Sequence, residues 1–131
     1  MSAAGMVLRG RARAEALMID SCLVRRPGED HTDWQTGAVS PTYTPVYEGK
    51  CKVQLTAAQS ASPEAGEAQF TVQSLRVDVP VGAGPLAVDD TVTITASALD
   101  PQLVGSVFRV VELFRKSMAT AQRTRVEWVS E

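Results

Sequence analysis

Asparagine is missing from the 131 residues altogether, histidine occurs once, cysteine twice, and aromatic residues make up only 5%. Without asparagine there is neither an N-glycosylation acceptor nor an Asn-Gly hairpin turn. Two cysteines, Cys22 and Cys51, are too few for a disulfide framework. No apolar run approaches the length of a membrane-spanning helix, about 18 residues. The N-terminus spreads Arg9, Arg11 and Arg13 through an Ala-rich stretch and lacks the apolar segment of an export signal, which predicts an unexported, cytoplasmic chain. An excess of positive charge is lacking too. With 13 Lys plus Arg against 15 Asp plus Glu the net charge is −2, which excludes a globally basic nucleic-acid binder.

What is present is the make-up of an ordinary globular domain, 44% hydrophobic and 21% charged. One domain spanning residues 1–131 is expected, long enough to bury roughly two-thirds of its unfolded surface. Its charge is uneven. Residues 1–26 hold five arginines (Arg9, Arg11, Arg13, Arg25, Arg26) against Glu15 and Asp20, whereas residues 56–108 hold Arg76 alone against six carboxylates. Residues 109–131 turn basic again through Arg109, Arg115, Lys116, Arg123 and Arg125.

Hydrophobic periodicity divides the chain into a helix and a series of strands. Ala3, Met6, Val7, Gly10, Ala14, Leu17 and Met18 recur at steps of three and four, so residues 1–19 read as an amphipathic helix that Ser2 can cap. Its stripe is thin, mostly Ala and Gly, and should pack closely or shallowly. After Asp20 the period becomes two. Ser21 to Arg26 is a short strand, and Pro27-Gly28 opens a polar loop. Glu48 to Leu55 alternates, with Gly49, Cys51, Val53 and Leu55 on one side. Both cysteines therefore read as small core residues rather than redox groups. Thr56 to Ala68 is poor in strand formers and reads as a long flexible loop.

From Ala68 to Val79 the alternation slips in phase, which predicts a β-bulge near Gln73-Ser74. Val92, Ile94 and Ala96 mark the next strand. Val107 to Phe114 is apolar on both sides and should be buried on both faces. In the last strand Thr124, Val126 and Trp128 face inward. The fold class is mainly β: a small barrel of about six strands over residues 20–131, with one N-terminal α-helix and the loop 56–68.

Candidate chemistry is sparse. His31, in Glu29-Asp30-His31-Thr32-Asp33, has carboxylate neighbours but no second histidine and no ligand spacing, and reads as part of a solvated hairpin loop. Asp89 and Asp90 are adjacent, so on a strand they point apart and cannot act as an acid/base pair; turn chemistry suits them better. Gly82-Ala83-Gly84-Pro85 lacks the Lys and Ser/Thr of a phosphate loop and reads as a turn. A nucleophilic triad would have to use His31. No active site emerges, and the chain is not expected to be an enzyme. The best candidate surface is the helix bearing Arg9, Arg11 and Arg13, which could dock an acidic partner or phosphates.

The order of several segments carries a resemblance. The Arg- and Ala-rich helix leads into Asp20-Ser21-Cys22-Leu23-Val24-Arg25-Arg26. Tyr43-Thr44-Pro45-Val46-Tyr47-Glu48-Gly49-Lys50-Cys51-Lys52-Val53-Gln54 and Val88-Asp89-Asp90-Thr91-Val92-Thr93-Ile94 follow. Asp100 to Val110 and Thr120 to Glu127 close the series. Together they resemble the small head-to-tail connector proteins of long-tailed actinobacterial phages, of the head-closure or stopper type.

The resemblance implies a structural protein of the virion, assembled in the host cytoplasm as a homo-oligomeric ring beneath the portal and adaptor. Such a ring retains packaged DNA and docks the tail. On this sequence it makes the loop 56–68 the channel segment, with Gln59, Ser60, Glu64 and Glu67, where the two glutamates would repel the DNA backbone during ejection. Arg9, Arg11 and Arg13 would form a docking helix, a feature that the simplest connectors lack. The resemblance gives no reason to expect a metal, a cofactor or membrane contact. A tail terminator, and a small soluble barrel that binds a ligand or peptide, are the alternatives.

Overall fold

The computed structural model describes residues 2–61 and 69–129, with residues 56–61 and 69–73 described by the course of the backbone. The chain begins with helix α1 (Ala3–Ala16), continues as β1 (Asp20–Pro27), a small hairpin of β2 (His31–Thr32) and β3 (Val39–Ser40), and the long strands β4 (Tyr43–Ala61) and β5 (Gln69–Val79). It ends with β6 (Thr91–Ser97), β7 (Val107–Phe114) and β8 (Gln122–Trp128). Six strands close into an antiparallel barrel in the order β1-β4-β5-β8-β7-β6, with β6 returning to β1. The mainly β barrel with one N-terminal helix expected from periodicity is what forms.

Alternation drives closure. Cys22 and Val24 of β1, Cys51 of β4, Val77 and Val79 of β5, Val92 and Ile94 of β6, Phe108 and Val110 of β7 and Val126 of β8 all point inward and are buried. Each buried Val, Ile or Phe side chain contributes about 1.5–3 kcal/mol. Leu86 joins them from the β5–β6 connection, which folds across one barrel end. The Gln122 side chain fixes that connection, accepting from the Leu86 N–H at 2.8 Å and donating to the Gly84 carbonyl at 2.8 Å. Both cysteines are free and fully buried, as core residues should be. A hydrogen bond to Cys22, together with burial, pushes the Cys51 thiol up, so it stays protonated.

Three sequence expectations are corrected. The β4–β5 ladder runs in unbroken register from Lys52↔Asp78 to Ala61↔Gln69, so there is no bulge at Gln73-Ser74. Before Leu75 the strand β5 has not yet met its barrel neighbour β8, and its alternation is not tied to the barrel interior. Second, Thr56–Ala61 is strand rather than loop, because cross-strand pairing overrides the weak strand propensity of its Ala, Gln and Ser residues. Only the remainder of the expected loop, 62–68, lies between the strands, outside the described residues.

Third, β7 is not buried on both faces within the chain: Phe108 and Val110 are buried, while Arg109, Glu112 and Phe114 are exposed. A register shift between Val110 and Glu112 leaves Val111 as an extra residue, so the inward positions change from even to odd numbers and Leu113 turns in. The doubly apolar run is largely that phase change. In β8, Thr124 and Val126 are buried as expected; Trp128 shares their face as the register partner of Phe108, ring centroids 4.5 Å apart, but at the end of its strand it is mostly exposed.

Helix α1 starts where Ser2 caps it, its hydroxyl accepting from the Gly5 N–H at 3.1 Å. No residue of Ala3–Ala16 is buried. The thin stripe packs shallowly, as expected. Gly10 marks the closest approach: a Cβ there would lie 2.7 Å from the Thr120 methyl of the β7–β8 connection.

Candidate functional site

Antiparallel pairing puts the chain's connections at two barrel ends. The hairpin β2–β3, the β5–β6 connection and the β7–β8 connection share one end, and the extension of β4 and β5 leaves from the other. Three surfaces result.

The first is a cationic groove of about 440 Å³ on the outside of the barrel, lined by Arg76 of β5, Phe114 of β7, Arg123 of β8 and Arg115, Lys116, Ala119 and Ala121 between them. The register Asp78↔Arg123 and the two-residue spacing of Arg76 and Asp78 gather these side chains on the outer face. Asp78 is the single carboxylate among them, buried, 3.0 Å from Arg76 Nε and 4.0 Å from Arg123 Nε. Neither contact is aligned as a hydrogen bond, and Gln54 supplies the aligned ones. Its amide donates to Asp78 Oδ2 at 3.0 Å and its carbonyl accepts from Arg76 at 2.7 Å. Burial raises the Asp78 carboxyl above the usual carboxylate range, against the opposing pull of Arg76, Arg123 and Lys52. Arg76 and Arg123 thus flank one reluctant anion, and with Arg115 and Lys116 the groove presents positive charge beside the half-exposed ring of Phe114.

The second surface is the hairpin of β2 and β3. His31↔Ser40 and Thr32↔Val39 pair, and between them Asp33 shapes the turn by accepting from the Gln35 N–H at 2.9 Å. That bond and the Thr36 hydroxyl hold the Asp33 carboxyl below its ordinary value, so it is ionised. Glu29, Asp30 and Asp33 are exposed, as is His31, and Trp34 at the turn is 92% exposed. His31 thus sits in the solvated hairpin anticipated for it. Among the described residues no three His, Cys, Asp or Glu side chains come together to hold a metal.

The third surface is the β4–β5 extension. β4 pairs with β1 only as far as Cys51, and β5 pairs with β8 only from Leu75 onward. From Thr56–Ala61 against Gln69–Ser74 the two strands pair with each other alone, and the six extra residues carry this arm about 20 Å further.

The sequence-expected site residues are therefore distributed. Gln59 and Ser60 lie on the arm, paired with Thr71 and Phe70, and Glu64 and Glu67 lie outside the described residues. Arg9 and Arg13 are exposed on α1, but Arg11 turns inward and donates to the Ala119 carbonyl at 3.1 Å, tying the helix to the β7–β8 connection. The three arginines do not form one face. Asp89 adopts a left-handed turn conformation, as its turn chemistry suggests, while Asp90 does more. It is fully buried and receives Arg26 in a fork, Nε to Oδ1 at 2.9 Å and Nη2 to Oδ2 at 3.0 Å, while Oδ2 also accepts from the Ala87 N–H at 2.8 Å.

Sequence reasoning missed the groove. Its signal was a lone Arg76 in an acidic stretch and the basic return after Arg109, which only the barrel order brings side by side.

A family model described as a family of unknown function (DUF6093) matches residues 10–127. No curated protein matches the chain. No solved structure matches it either. No helix among the described residues is long and apolar enough to cross a membrane.

Proposed function

We propose that this chain, which belongs to DUF6093, is a structural protein of the phage neck: a ring-forming head-tail connector of the stopper type that retains packaged DNA and presents a docking surface to the tail. The observation that carries this reading is the two-stranded arm leaving an otherwise closed barrel. A closed barrel has no free strand edge and is complete in itself. Among the described residues the arm has two free edges and no third strand, and an isolated two-stranded ribbon is at best marginally stable in water. It gains partners when copies stand side by side and their arms line a common axis.

The sequence between the arm's strands includes Glu64 and Glu67, so such a ring would bring negative charge to that axis. Carboxylates facing phosphates favour passage over adhesion. At the opposite end and on the flank, Arg9 and Arg13 of α1 stay free for an acidic neighbour among the portal, adaptor or tail proteins. The barrel interior is filled by Phe108, Ile94, Leu86 and valines, which leaves a ligand-binding barrel without interior room for its ligand.

The arm is tested by deleting residues 58–66 in the encoding phage and following encapsidated DNA by nuclease sensitivity. The expected result is heads that assemble and fill but release their DNA. Heads that hold DNA as before would contradict the channel role.

A further inference from the structure

We infer that the ring is built by a head-to-tail contact in which the acidic hairpin β2–β3 of one copy, led by Trp34, enters the cationic groove of the next. The inference rests on the ring reading and names its contact.

Three independent features support it. The charges complement each other: Glu29, Asp30 and Asp33 stand exposed on the hairpin, and Arg76, Arg115, Lys116 and Arg123 line the groove. Apolar surfaces match as well. Trp34 is 92% exposed, a large ring left without cover within the chain, and Phe114 stands 46% exposed at the groove.

Placement is the third. The hairpin joins β1 to β4 and the groove lies over the β8–β7 pair, three strands away round a circle of six, and both are at the same barrel end. Peg and recess are thus on opposite sides at one height. A contact between different patches of identical copies is heterologous and closes into a ring when its rotation does. The same geometry aligns every copy, so all arms point to one side of the ring. The carboxylate of Asp78, held against Arg76 and Arg123, offsets part of the groove's charge, and with the exposed ring of Phe114 beside it the groove suits the side chains of a protein better than the phosphates of a duplex.

Two variants test the contact: Arg115→Glu with Lys116→Glu in the groove, and Asp30→Lys with Trp34→Ala on the hairpin. All four residues are exposed, and circular dichroism checks that each variant folds. In sedimentation velocity at low salt, the wild type should form concentration-dependent oligomers that weaken as salt rises, and each variant alone should be a monomer. Mixed together, the variants should pair one to one, because each keeps the half that the other lost, and should go no further. Oligomers unchanged in both variants would overturn the contact while leaving a ring. A wild type that stays monomeric at all concentrations would overturn contact and ring together. A shift of a duplex oligonucleotide by monomeric wild type, lost in the groove variant, would assign the groove to nucleic acid and likewise overturn the contact.

Discussion

Asp90 has no exposure at all, and its carboxylate's hydrogen bonds come from Arg26 and the Ala87 N–H. Removing the carboxylate leaves Arg26 without its fork and takes one anchor from the β5–β6 connection, while removing one partner of a buried pair costs about 3–5 kcal/mol. Asp90→Ala should therefore lower stability by about 3 kcal/mol in urea unfolding, Arg26 being half exposed and able to recover water. A change below about 1 kcal/mol would show that the clamp is incidental.

Asp78 behaves in the opposite sense. Its raised native pKa means that the folded chain keeps a proton where the unfolded chain has lost it, so its contribution to stability is greatest in acid and declines as pH rises from the ordinary Asp range through the raised value. Asp78→Asn removes that decline. Relative to the variant, the wild type should lose stability across this window in urea midpoints taken at successive pH values, and parallel curves would contradict the desolvation argument. The turn role of Asp89-Asp90 was legible from residue types, but the partner of Asp90 lies 64 positions away, and no local pattern encodes it.

At the level of elements, the period of two revealed all six barrel strands, because each turns one face to the core, and the period of 3.6 revealed the helix, whose thin stripe rests on the barrel without being buried. Phase was harder to read. A slip in alternation signals a bulge only while both strands face the same core. That holds for β7 at Val111, where the slip is real, and fails for β5, whose outer half lies on the arm. The length of β4 was hidden for the same reason: Ala, Gln and Ser become strand through pairing, not propensity.

Gly10 tests how α1 docks. Gly10→Leu raises helix propensity by about 1 kcal/mol, yet its side chain collides with Thr120 and should lift the helix from Ala119. Trypsin should then cleave at Arg9–Arg13 faster than in the wild type, with the barrel's melting temperature nearly unchanged, since no residue of α1 is buried. Slower cleavage would mean that propensity, not docking, governs the helix.

For the whole molecule, the uneven charge seen in the sequence becomes an arrangement: cations over one side of the barrel, carboxylates on a hairpin opposite. Composition revealed the imbalance, but only the strand order shows that the two patches share a barrel end. The arm leaves from the other end. The most direct test of the proposed neck role is electron microscopy of a lysate from the phage to which that proposal assigns the chain, with this reading frame interrupted. Heads that have leaked their DNA, beside separate tails of normal length, are expected of a missing stopper. Tails of uncontrolled length would indicate a terminator instead, and intact, infectious particles would contradict any place for this chain in the neck.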